Sequence, residues 1–184
     1  FSLDGSNNGS DNVAQFSLPV GDYTITETDS PGNWDLTDLV CNSDDVEVEI
    51  DGASASFTLL RGQHVTCEYT NERRGQVSIT KFEDLNGNGE RDDDEPTLEG
   101  WEMFLYQEQD GEFVQIQTRE VLTNSNGNAN YTSLVPGTYL VCEEDRDGWT
   151  NSNADTVMQD GRICQEIEVD YAQTVPVDFA NMQN

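Results

Sequence analysis

The chain sets 37 Asp and Glu against 8 Lys and Arg, a formal net charge of -29 over 184 residues. A surface of that sign repels nucleic-acid phosphates and anionic headgroups, which excludes nucleic-acid partners and direct membrane insertion, while it suits a saline setting and offers carboxylates to divalent cations. With 34% hydrophobic and 9% aromatic residues there is still material for a packed core, yet no apolar run nears the length of a membrane span.

The length gives room for two domains of about 90 residues, small enough that covalent or metal staples are expected. The first residue is Phe1 rather than Met and no apolar leader is present, so the chain reads as an interior segment whose export signal or anchor lies elsewhere. Apolar residues alternate with period two, as in Tyr23 and Ile25 or Val65, Cys67 and Tyr69, between clusters of Gly, Asn, Asp and Pro. That pattern, with no helical periodicity, predicts antiparallel β-sandwiches.

In chain order, Phe1-Ser2-Leu3-Asp4-Gly5 has the look of a second strand. The first domain then lacks its opening strand, which either lies upstream in the native chain or is donated by another subunit through β-augmentation. Ser17 to Glu27 (SLPVGDYTITE) is repeated at Ser133 to Glu143 (SLVPGTYLVCE), and each copy is followed by a turn and a tryptophan, Trp34 or Trp149. Gln63 to Asn71 is repeated in the same way at Gln173 to Asn181. These are two copies of one unit, with residues 1–74 and 75–184 as the domains and Arg73-Arg74-Gly75 as a short, semi-rigid junction. Cys41 and Cys67 fall in the first copy, Cys142 and Cys164 in the second. With no CxxC pair and His64 the only histidine, a thiolate zinc site is disfavoured. Two intradomain disulfides made in an oxidising compartment are the simplest arrangement, and four reduced core thiols the alternative.

The second copy opens with the strand Val77 to Phe82 and runs into Asp84-Leu85-Asn86-Gly87-Asn88-Gly89-Glu90-Arg91-Asp92-Asp93-Asp94-Glu95. Oxygen-bearing side chains stand at loop positions 1, 3, 5, 9 and 12 (Asp84, Asn86, Asn88, Asp92, Glu95), with Gly89 at position 6 and a backbone carbonyl available at Glu90. This matches a calcium-binding loop of the EF-hand type. A hard cation of that size takes six to eight oxygens at about 2.3–2.6 Å, whereas Mg2+ gives up its water reluctantly. The competing reading is a solvated acidic turn. A strand precedes the loop and Pro96 to Trp101 follows it, so the flanking helices of a sensor are missing and Ca2+ would staple rather than switch. Asp93 and Asp94 recruit a second ion or are plain surface charge. Asn124 to Asn128 lacks a closing acid and reads as a hairpin turn, and Asn130-Tyr131-Thr132 is a glycosylation triplet of low specificity.

The only lysine, Lys81, is in phase with Val77 and Ile79 on the strand face that should be buried. Glu143 is in phase with Tyr139 and Val141, and Asn181 with Val175, Val177 and Phe179, so three polar side chains point into one core. A desolvated, neutral lysine amine attacks an asparagine carbonyl, while a protonated glutamic acid hydrogen-bonds that carbonyl, shuttles protons and helps ammonia leave. The product is a Lys81–Asn181 isopeptide between the first and last strands. The plain alternative is a lysine whose head reaches solvent beside an ordinary Glu and Asn. Glu27 and Asn71 hold the matching places in the first copy, whose lysine would come from the missing strand.

At this point the residues resemble the B-type repeat domains of Gram-positive surface adhesins and pilins, the collagen-binding-adhesin B-type (Cna-B-like) family with its transthyretin-like β-sandwich. Leu18 to Thr28 is similar to the Tyr-x-x-x-Glu-Thr box of the pilin-type branch. Asp84 to Glu95, Gly100, Pro136 to Tyr139 and Val141 to Glu143 look like the B-domains of serine-aspartate-repeat proteins. The resemblance implies an all-β chain of two tandem domains that forms exported stalk modules at the cell surface, with neighbouring repeats or identical subunits as partners. It implies isopeptides in the pilin-type branch, calcium in the other, and no enzyme activity beyond autocatalytic crosslinking. The competing function is an adhesin module that grips a protein or glycan, with Trp34, Trp101 and Trp149 as a candidate patch. A glycosidase working through paired acids such as Glu143-Glu144 is the weakest reading.

Overall fold

The computed structural model describes residues 13–28, 32–116 and 120–184, so the strand expected at Phe1 to Gly5 lies outside the described residues. The chain divides into one unit of residues 13–28 and 36–70 and another of 32–35 and 71–184. Residues 32–35 belong with the second because Arg74 holds them: its guanidinium lies 2.7 Å from the Asp35 carboxylate, whose pKa it lowers.

The first copy contributes β1 (Gly21–Thr26), β2 (Trp34–Ser43), β3 (Val48–Asp51), β4 (Ser54–Leu59) and β5 (Val65–Arg73). They form an antiparallel sheet β1-β4-β3 and a β2-β5 pair. The period-two pattern works as expected, since Tyr23, Ile25, Val65, Cys67 and Tyr69 sit on inward, half-buried positions between exposed polar neighbours. Across β1 and β4 the exposed face is tied by hydroxyl pairs, Thr24 with Ser56 at 2.9 Å and Thr26 with Ser54 at 2.8 Å. Residues 13–19 form no strand, and Val13, Phe16, Leu18 and Val20 are exposed.

The second copy contributes β6 (Gly75–Glu83), β7 (Glu102–Gln109), β8 (Glu112–Gln115), β9 (Val121–Leu122), β10 (Asn128–Leu134), β11 (Gly137–Glu143), β12 (Trp149–Asn151), β13 (Val157–Gln159), β14 (Arg162–Val169) and β15 (Thr174–Gln183). One sheet runs β10-β6-β15-β12; the other runs β13-β14-β11-β7-β8, with β9 also on β7. Val77, Ile79, Tyr131, Val177 and Phe179 from the first sheet meet Met103, Leu105, Tyr139, Val141 and Val169 from the second, with Trp101 beside them, and this is the sandwich core. The outer face of the second sheet carries a smaller cluster of Phe104, Tyr106, Leu140, Cys142 and Cys164, over which Arg162 lies.

Two features depart from the sequence reading. The strands are not all antiparallel: β6 and β15 run parallel, from Gln76↔Thr174 to Glu83↔Asn181, with the rest of the copy as their crossover. The turn at Asn124 to Asn128 is real, its Asn124 Oδ1 accepting from the Asn126 and Asn128 amides, but it is no hairpin of one sheet. It carries the chain from β9 to β10, on different sheets.

Candidate functional site

Lys81, Glu143 and Asn181 end up where their strand phases place them, 0%, 2% and 3% exposed. Because β6 and β15 are neighbours, the Lys81 side chain runs along β15. Its Nζ donates to Asn181 Oδ1 at 2.6 Å and to the Phe179 carbonyl at 3.1 Å. Glu143 Oε2 closes the triangle from the opposite sheet, 3.2 Å from Nζ. Trp101 floors the site, its ring 4.5 Å from Nζ and 4.4 Å from the Arg146 guanidinium. Burial pulls the Lys81 pKa down to about 8, although Glu143 opposes the shift. Burial also raises the Glu143 carboxyl, against hydrogen bonds from Asn151, Lys81 and Asn181. Both groups are thus driven towards their neutral forms, the state in which an amine is a nucleophile and a carboxyl can donate a proton.

The Lys81 backbone is fixed as tightly as its side chain. Its N–H donates to the Gly127 carbonyl at 2.7 Å, and its own carbonyl accepts from Leu98 at 3.0 Å. Gly127 has φ 70°, and a Cβ there would collide with the Lys81 carbonyl and with Thr97.

Sequence reasoning missed Asn151, the last residue of β12, and Ser152 and Asn153 after it, which line the site from beside β15. Asn151 is the cross-strand partner of Asn181. Its Nδ2 donates to Glu143 Oε1 at 2.9 Å and lies 3.4 Å from Asn181 Oδ1. The only signal in the sequence is a polar run after Trp149, with nothing to say which strand it approaches.

The acidic loop after β6 folds on its own carboxylates. Asp84 Oδ1 accepts from the Gly87 amide at 2.6 Å, and Oδ2 from Gly89 at 2.8 Å and Ser152 Oγ at 2.5 Å. Burial would raise the Asp84 pKa, but these bonds outweigh it and hold the group below the usual carboxylate value. Asn86 and Asn88 both donate to Asp92 Oδ2, at 2.7 and 3.1 Å. Glu95 accepts from the Leu85 and Asp92 amides at 2.9 and 3.1 Å. Positions 1 and 12 of the loop therefore anchor its backbone, and positions 3, 5 and 9 converge. Glu90 enters through its amide, which donates to Asn88 Oδ1 at 2.8 Å. Gly89 has φ 76°, and a Cβ there would press on the Ser152 carbonyl at 2.8 Å. Among the described residues no group of three His, Cys, Asp or Glu side chains gathers as for a metal. An ion here would need the Asn86 and Asn88 amide oxygens and the Glu90 carbonyl as well as the acids, and that all-oxygen donor set fits a hard cation.

Both cysteine pairs are disulfides, Cys41–Cys67 joining β2 to β5 and Cys142–Cys164 joining β11 to β14. Of the first-copy counterparts, Glu27 lies just past β1 and raises the Tyr69 hydroxyl pKa together with the larger effect of burial, and Asn71 is on β5, half-buried. The three tryptophans do not form one exposed patch: Trp101 is in the core, Trp149 packs edge-on against it at 5.5 Å, and Trp34 is 46% exposed.

The fold is a pair of prealbumin-like sandwiches without a helix among the described residues, and none there is long and apolar enough to cross a membrane. Residues 75–181 match the SdrD B-like domain, and residues 2–73 match a prealbumin-like fold domain. The chain belongs to the SdrD B-like domain family. No curated protein matches it. Among solved structures it is similar to the group B streptococcus pilus 2b backbone protein, at 12% identity and TM-score 0.46 over 90% of this chain and 86% of that one. It is also similar to GBS52, the minor pilin of Streptococcus agalactiae, at 16% identity and TM-score 0.42 over 72% of this chain. A third similarity is to the shaft pilin SpaA of Lactobacillus rhamnosus GG, at 15% identity and TM-score 0.41 over 60% of this chain. The chain spans 65% of GBS52 and 50% of SpaA.

Proposed function

We propose that the chain is an extracellular structural module of a surface stalk, pilus or adhesin, fastened by Ca2+, disulfides and a Lys81–Asn181 isopeptide. Its partners are neighbouring repeat domains or identical subunits. The observation that carries this reading is the convergence of one amine, one carboxyl and one carboxamide in an apolar core, with Nζ 2.6 Å from the oxygen of the amide it would attack. In the reaction Nζ bonds to Asn181 Cγ, the Cγ–Nδ2 bond breaks, and Glu143 takes a proton from Nζ and returns one to the departing ammonia. The reaction happens once per molecule, so it is maturation rather than turnover. The donor set of Asp84, Asn86, Asn88, Glu90, Asp92 and Glu95 would hold a calcium ion that stiffens the β6–β7 connection.

The same reading assigns Glu27 and Asn71 to a first-copy crosslink, completed by a lysine-bearing strand from upstream chain or from a neighbouring subunit. The aromatic-patch alternative loses support because Trp101 and Trp149 pack inward. Intact mass tests the conclusion. The oxidised wild type should be lighter than its sequence by about 17 Da for the crosslink and about 2 Da for each disulfide, and Lys81→Met should restore only the former. A wild-type mass without the ammonia deficit would refute the crosslink.

A further inference from the structure

The oxygen of Asn181 must carry negative charge as Nζ adds to Cγ, in a core from which water is excluded, so it needs a hydrogen-bond donor there. From sequence that bond falls to a protonated Glu143, but its carboxyl lies against Nζ on one side and the Asn181 side chain on the other, the two groups between which it must also pass protons, so a second donor would leave it free to do so. Asn151 is a further donor within reach. Its Nδ2 lies 3.4 Å from Asn181 Oδ1 and 2.9 Å from Glu143 Oε1. The other end of the amide is fixed, because Oδ1 accepts from the Asn153 amide at 3.0 Å; the two hydrogens of Nδ2 are shared among Glu143, Asn181 and Asn153 Oδ1 at 3.1 Å, so donation to Asn181 takes the place of the bond to Asn153. Asn153 is itself tied to β15 by the Ala180 amide at 2.9 Å.

We propose that Asn151 is a further catalytic residue of the crosslinking step, donating to the Asn181 oxygen as it becomes an oxyanion and holding Glu143 in its shuttling position. The inference rests on the crosslink reading above. The contact to Asn181 is longer than an ideal hydrogen bond in the resting state, and such contacts tighten as charge develops. A neutral amide suits the place: a cation would hold Glu143 ionised, and a carboxylate would keep the amine protonated and repel the oxyanion. The Asn151↔Asn181 pairing on β12 and β15 makes the approach a property of the sheet rather than of a loop.

The test uses the full chain as wild type, Asn151→Asp and Asn151→Ala, with Lys81→Met as the uncrosslinkable reference. Intact mass gives the crosslinked fraction at harvest and its growth on incubation at pH 7.5, and the disulfide mass deficit reports folding. Wild type is expected fully crosslinked at harvest, and both Asn151 variants to convert about 100- to 1,000-fold more slowly, the loss typical of one oxyanion donor. Asn151→Asp keeps the shape but replaces the donor with a charge, whereas Asn151→Ala removes the donor and adds none, so loss of the donor slows both and a mere effect of the carboxylate slows Asn151→Asp alone. Crosslinked wild type with either Asn151 variant converting equally fast overturns the role of Asn151 alone. Wild type without the ammonia deficit overturns the crosslink itself, and this role with it.

Discussion

At one rung of the sandwich the two copies make opposite choices. Thr26 faces Ser54 across β1 and β4 as a hydroxyl pair, and at the matching rung of β11 and β14, Cys142 faces Cys164 as a disulfide. The first copy puts its disulfide on the other sheet, between β2 and β5, where the second copy has β12 and β15 and the Lys81–Asn181 contact. The anchoring device around these rungs is unchanged: the Tyr23 hydroxyl donates to the Pro19 carbonyl at 2.8 Å, and the Tyr139 hydroxyl to the Val135 carbonyl at 2.7 Å. A small sandwich thus keeps the turn that starts its strand and varies where it is fastened. The second copy buries two apolar clusters, whereas Ala55 is the fully buried apolar side chain among the described residues of the first.

The comparison is sharpened most by removing the proposed crosslink. A covalent bond closing a 100-residue loop stabilises by about 4–5 kcal/mol through chain entropy, so Lys81→Met should lower the second copy's melting temperature by about 20 °C in calorimetry, with the first copy's transition unmoved. Next come the disulfides. Cys142→Ser with Cys164→Ser should cost about 3 kcal/mol and leave a folded unit with its central core intact. Cys41→Ser with Cys67→Ser removes a similar amount from the copy with the less buried interior, which should then fail to show a cooperative transition.

Calcium at about a hundredfold excess over Kd should stabilise the second copy by about 3 kcal/mol. Chelation should reverse this, Asp84→Ala should abolish it, and a first-copy shift of equal size would break the contrast. The smallest effect is the pH dependence of an uncrosslinked variant, Asn181→Ala. The Lys81 pKa is lowered to about 8 in the fold. Between there and the ordinary lysine value the unfolded chain binds more protons than the folded one, so stability rises with pH across that window and levels off at its lowest below about 8. Burial raises Tyr131 and Tyr139, which pulls the other way near pH 10, so urea unfolding of Asn181→Ala against Lys81→Met/Asn181→Ala at pH 8 and pH 9 reads the sign.

Much of this was legible in the sequence because strands have a period of two. Counting from Val77, Tyr139 and Val175 was enough to aim Lys81, Glu143 and Asn181 at one place, since a strand leaves its side chains no third direction. The order of oxygen-bearing residues from Asp84 to Glu95 is equally local, and two cysteines per copy left one simple pairing. What the pattern did not carry is partnership between strands. That β6 and β15 run parallel, that the Asn124–Asn128 turn crosses between sheets, and that Asn151 pairs with Asn181 are long-range facts with no periodic trace. Trp101 was misread for a related reason: it precedes β7 outside any alternating run, and only the closed sandwich shows that it covers Lys81.

The parallel β6–β15 pairing bears on how a tether would transmit tension. The chain enters the second copy at Gly75 and leaves at Gln183, at opposite ends of two adjacent strands, so a pull between them shears all the rungs together rather than unzipping them one by one. With Lys81 bonded to Asn181 the intervening residues drop out of the stressed path, and about 350 Å of contour length stays folded however hard the ends are drawn apart.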